Sequence, residues 1–147
     1  MSLEEKINAD IKSAMLAKEK EKLEALRAVK SAVLLAKTEK VGVEVSEDTE
    51  LKLLQKLVKQ RKDAAEIYLK QQMKDLADVE LFQANVIEQY LPAQMSPEEI
   101  GQVVKSVIEE TGANGIKDMG KVMGLVSKQL AGKADGKLIS EVVKSLL

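Results

Sequence analysis

Eight glycines and two prolines punctuate 147 residues, and only three aromatic side chains, Tyr68, Phe82 and Tyr90, are available to any core. A chain with so few breakers has few places to turn, and a core without large rings must be packed with aliphatic groups. The apolar share of 45 % is enough for such a core, built from Leu, Val, Ile, Ala and Met, and the 32 % charged share gives a heavily solvated surface. Good helix formers dominate, so the expected fold is all-α and multihelical.

Start and stop signals divide the chain. Ser2 and Glu5 make a capping-box pattern for a first helix through about Ala17, with Leu3, Ile7, Ile11, Ala14 and Met15 on its apolar side. The charged run 18–22 falls at the turn or at the start of a second helix, which reaches about Lys40. Residues 41–45 alternate in character and predict a loop with a short extended piece. Ser46 opens a third helix to about Gln72, and a fourth covers roughly Asp75 to Tyr90. Leu91-Pro92 ends it, because the residue before proline avoids the helical region. A domain boundary is expected there, giving a four-helix part over 1–91 and a three-helix bundle over 92–147.

The second part opens with Ser96-Pro97-Glu98-Glu99: a serine cap, proline at the first helical position and glutamate at the third. Gly112 is a natural carboxyl cap for that helix. Asp118 is expected to cap the next helix and Gly132 to end it, and Asp135 to cap a last helix reaching Leu146.

The middle of these three helices carries glycines where a helix disfavours them. On a wheel of about 100° per residue, Met119, Val122, Met123, Val126 and Leu130 form an apolar stripe, and Lys117, Lys121 and Lys128 line up almost opposite. Gly120, Gly124, Ser127 and Ala131 fall beside the lysines, not beside the stripe. A face bare of side chains and flanked by cations admits a polyanion such as RNA close to the backbone. Lys133 and Lys137 extend that face from the next turn, so the candidate nucleic-acid site is Lys117, Gly120, Lys121, Gly124, Lys128, Lys133 and Lys137. The competing reading is close packing of a neighbouring helix against the small residues.

Three charges fall on apolar stripes. Arg61 lies among Leu54, Leu57, Val58, Ala65 and Tyr68; Arg27 lies among Leu23, Leu26 and Leu34; Glu80 lies among Leu76, Val79, Val86, Ile87 and Tyr90. Charges do not enter an apolar seam unpaired, so Arg27, Arg61 and Glu80 are expected to form a buried ion network, with an anion pocket as the alternative. Lys52, Lys56 and Lys59 also share a helix face, interrupted by Asp63, which reads first as solvated surface and second as an RNA contact.

The chain has no cysteine and no histidine, which excludes disulfides, thiolate chemistry, ordinary zinc sites and a Ser-His-Asp arrangement. Gly120-Lys121 lacks the upstream glycine and the following Ser/Thr of a phosphate-binding loop. No catalytic constellation and no cofactor site are expected. The net charge of −1 gives no nucleic-acid signal overall, so a binding face has to come from local arrangement. The polar, acidic amino terminus is no signal peptide and no apolar run is long enough to span a bilayer, which predicts a cytoplasmic protein without a membrane partner.

The runs 117–124, 132–137 and 142–147 resemble the tail domain of the B subunit of glutamine-dependent aminoacyl-tRNA amidotransferase (GatB). With Leu26-Arg27-Ala28-Val29-Lys30-Ser31-Ala32, the stretch 59–68 and Tyr90-Leu91-Pro92, essentially the whole chain is similar to the stand-alone YqeY proteins, which carry that tail without the catalytic body. In those amidotransferases the tail helps hold tRNA while other domains do the chemistry. The resemblance therefore implies a non-catalytic module for tRNA or another structured RNA. It leaves room for an accessory role in amide transfer and for a protein partner in the translation or amidotransferase machinery. It also implies that a carbon–nitrogen ligase label would be inherited from the larger enzyme. The alternative function is a protein-interaction adaptor docking through the glycine-lysine face.

Overall fold

In a computed structural model, which describes residues 2–39 and 45–147, every regular element is helical. The α-helices are α1 Leu3–Leu16, α2 Lys20–Glu39, α3 Glu47–Lys70, α4 Lys74–Glu88, α5 Pro97–Thr111, α6 Met119–Gln129 and α7 Gly136–Leu146, with a 3-10 turn at Ile116–Asp118. The expected loop and extended piece at 41–45 lie, apart from Val45, outside the described residues. The chain divides into two compact units, Met1–Leu91 and Pro92–Leu147.

In the first unit α1 pairs with α2, and α3 packs mainly along α4. Ser2 accepts from the Glu5 amide at 3.2 Å and Ser46 from the Thr49 amide at 3.2 Å, so each serine satisfies one orphan donor at the start of its helix. The core gathers Ile7 and Ala14 of α1, Leu26 and Val29 of α2, Leu54 of α3, and Ala84 and Ile87 of α4. Met15, expected on the buried side of α1, is 55 % exposed. It is the penultimate residue of α1, and the burial at that end of the helix falls on Ala14. The charged run resolves into a turn at Lys18, which takes a left-handed φ of 58°, and a helix beginning at Lys20.

The buried charge network is a correction. Arg27 is exposed, Arg61 and Glu80 are half-buried, and Glu80 makes no hydrogen bond or ion pair to either arginine among the described residues. The polar seam runs elsewhere. Arg61 Nε donates to Gln83 Oε1 at 3.2 Å, and Gln83 Nε2 donates to Glu24 Oε2 at 3.2 Å. Arg61 Nη1 also donates to the Leu57 carbonyl at 3.1 Å. The reason is rotation of α4. Its buried side is Ala77, Gln83, Ala84, Val86 and Ile87, whereas Leu76 is 48 % exposed. Buried alanines on both helices, Ala65 on α3 with Ala77 and Ala84 on α4, suit close helix packing better than the larger leucines of the wheel stripe.

The second unit is a three-helix bundle. The Ser96 side chain accepts from the Glu99 amide at 3.2 Å, and Glu99 Oε1 accepts from the Ser96 amide at 3.4 Å, with Pro97 opening the helix. Gly112 closes α5 at φ 65°, a conformation that costs a residue with a Cβ and costs glycine nothing. Ile100, Val104 and Val107 of α5 meet Val122 and Val126 of α6 and Ile139 and Val143 of α7. After α6 the chain turns through Gly132 at φ 78°, and the Met95 amide donates to the Lys133 carbonyl at 2.9 Å, tying the entry of the bundle to that turn.

Candidate nucleic-acid interface

α6 is short and two-sided. Val122 and Val126 are fully buried, Leu130 follows at the helix end, and Met119 and Met123 are half-covered against the same core. That places the apolar stripe inward and turns the opposite side to solvent. Lys117, Gly120, Lys121, Gly124, Ser127 and Lys128 are all exposed. Lys117 stands on the 3-10 turn, Lys121 and Lys128 on α6, Lys133 on the following turn and Lys137 in the first turn of α7. Lys133 and Lys137 are exposed as well.

The glycines decide between packing and access within this chain. A Cβ placed on Gly120 or Gly124 would meet nothing within 4 Å. No other helix of the bundle leans on them, so close packing within this unit does not account for their being glycine. A mid-helix glycine nevertheless costs about 1 kcal/mol relative to alanine. At Gly124 the fold bears that cost with no internal packing gain.

The local charge is strongly one-sided. Between Thr111 and Ser140 the chain has five lysines and two acidic residues. Both acids are engaged by backbone amides: Asp118 Oδ2 accepts from the Asn114 amide at 2.9 Å, and Asp135 Oδ1 accepts from the Lys137 amide at 3.4 Å. Asp118 thus does not cap α6 as expected. Its φ of −96° and ψ of 3° belong to the preceding 3-10 turn, and its carboxylate reaches back to the Asn114-Gly115 corner instead of forward to the helix. The five lysines make no ion pair among the described residues.

Two exposed apolar residues escaped the wheel. Leu125, 39 % exposed, borders the lysine ridge on the side away from the glycines, and Ile116, 82 % exposed, stands beside Lys117 on the 3-10 turn. Ile116 precedes the helix, so helical periodicity does not register it; an isoleucine just after the Asn114-Gly115 turn signal was the available hint. In the first unit Lys52, Lys56 and Lys59 are exposed along α3, while Lys62 pairs with Glu88 at 2.6 Å and Lys70 with Glu66 at 3.8 Å.

Comparison with known proteins adds identity to this geometry. The chain is 29 % identical over 147 residues to altered inheritance of mitochondria protein 41, mitochondrial, of Pyrenophora tritici-repentis, covering 97 % of this chain and 79 % of that one. The proteins of the same name from Clavispora lusitaniae and Vanderwaltozyma polyspora are 30 % and 31 % identical, over 84 % and 77 % of this chain and 71 % and 64 % of theirs. These relatives are named as mitochondrial proteins, which overturns the cytoplasmic expectation. That expectation rested on finding no targeting or membrane segment, and an absence of that kind does not assign a compartment. No described helix is long and apolar enough to cross a membrane. A family model described as Yqey-like protein matches residues 4–147, and with nearly the whole chain covered, this protein belongs to the YqeY-like family.

Proposed function

We propose that the protein is a non-catalytic module for structured RNA, tRNA first among candidates, and that the exposed face of α6 is its contact surface. The observation that carries this reading is a pair of glycines with open space where a Cβ would stand, flanked by lysines that make no ion pair among the described residues. Lysine ammoniums attract phosphates by charge, and bare helix backbone lets the chain of sugars and phosphates come close. The resemblance to the amidotransferase tail supports the same choice of partner and allows an accessory place in amide transfer beside a protein of that machinery.

Gel shift with tRNA across a salt series tests it. Each lysine-phosphate contact adds roughly 0.7 to 0.9 to the slope of log affinity against log salt, so Lys121→Ala should weaken binding and flatten the slope by about one contact. Gly124→Glu should weaken binding far more than it affects folding, because it sets bulk and negative charge at the closest approach. If Gly124→Glu unfolds the bundle and Lys121→Ala changes nothing, the RNA reading fails and a protein-docking adaptor takes its place.

A further inference from the structure

We infer that this face takes double-helical RNA, approached from the ribose-phosphate side of its shallow minor groove, in preference to single-stranded RNA. The inference rests on the RNA-binding reading and narrows it to a class of substrate. Its ground is what the second unit lacks. Residues 92–147 contain no aromatic side chain and no arginine. Single strands are held by stacking their bases on aromatic rings or guanidinium planes and by forked hydrogen bonds to base edges. The stacking instrument does not exist in this unit, which has neither ring nor guanidinium plane for a base. Lysine supplies point charges that suit phosphates, without the planar fork that suits bases.

What the face offers instead fits a duplex. The wide, shallow minor groove of A-form RNA presents 2′-hydroxyls and sugar edges that a flat, bare surface can meet. Gly120 and Gly124 provide such a surface, with nothing standing within 4 Å of where their Cβ atoms would be, and the exposed Ser127 hydroxyl lies on the same side of the wheel. Lys121 and Lys128 are seven residues apart, about 10 Å along the helix axis, so they can reach separate phosphates along the edge of the groove. Ile116, 82 % exposed beside Lys117, adds an apolar contact for a ribose ring at the amino-terminal edge.

Fluorescence anisotropy on the full chain tests this with three probes: a short blunt-ended RNA duplex, one of its strands chosen not to fold on itself, and the DNA duplex of the same sequence. The RNA duplex should bind at least tenfold more tightly than the single strand, and more tightly than the DNA duplex, whose minor groove is narrow and lacks the 2′-hydroxyl. Ile116→Ser should lower affinity for the RNA duplex several-fold and leave the salt slope unchanged, since it removes no charge. Equal or tighter binding of the single strand overturns the duplex inference while leaving RNA binding in place, as does equal binding of the DNA duplex. Unchanged duplex affinity in Ile116→Ser overturns the sugar contact assigned to it. Absence of salt-dependent binding to all three probes removes the RNA reading and this inference together.

Discussion

Gln83 is the one buried polar side chain among the described residues, and its amide joins Arg61 on α3 to Glu24 on α2. An amide can donate and accept at once, which makes it a neutral bridge between a cation and an anion at the edge of an aliphatic core. Gln83→Met keeps volume and removes both bonds, so it should lower stability by about 1–2 kcal/mol in urea unfolding. Glu80→Ala should cost clearly less, because Glu80 has no partner among the described residues; the reverse order would contradict the network drawn here. Tyr90 makes a second polar tie, its hydroxyl donating to Asp10 Oδ2 across from α1. Burial raises the Tyr90 pKa above its ordinary value of 10.0, and the hydrogen bond and negative charge of Asp10 raise it further. A raised folded-state pKa means that the protonated phenol is favoured in the native state. Its stabilisation is therefore full below the unfolded value near pH 10 and is lost as pH rises toward the folded one. Stability measured from pH 9 upward should fall more steeply in the native protein than in Tyr90→Phe, and parallel curves would contradict the assignment.

At the scale of the element, α6 sets stability against access. Gly124 sits in the helix interior, where a Cβ would clash with nothing. Gly124→Ala should stabilise the bundle by about 1 kcal/mol, visible as a higher Tm. A lower Tm would show that the glycine is packed after all. Most helices were legible beforehand, because serine caps, Pro92 and Pro97 are local signals acting on the backbone of their own neighbours. The Ser96–Glu99 capping box and the Gly112 stop needed no tertiary information, whereas at Ser2 only the serine half of the expected box forms. The rotation of α4 and the exposure of Arg27 did need it. A wheel ranks residues by polarity alone, whereas the α3–α4 pairing chose alanines and admitted a glutamine that found partners on two other helices. Asp118 failed as a cap for a related reason: the same carboxylate had a nearer backbone donor in the Asn114 turn.

At the scale of the molecule there are two cores, one around Leu26, Leu54 and Ile87 and one around Ile100, Val104 and Val126. Each is aliphatic and gathers residues of its own unit, so a small defect in one should stay there. Ile100→Val should cost about 0.5–1.5 kcal/mol and speed amide hydrogen exchange in α5, α6 and α7, with α1 to α4 unchanged. Equal acceleration in both units would show that the cores unfold as one. The candidate surface was only half legible in the sequence: the lysine ridge and the glycines follow from periodicity, but whether the glycines were open or packed required coordinates. On the proposed reading, α6 keeps its outer face bare for an RNA partner. The most direct test is the affinity of Gly124→Ala for tRNA, a substitution that leaves every charge in place. Weaker binding with an unchanged salt slope is expected; affinity equal to that of the native protein would contradict the proposal.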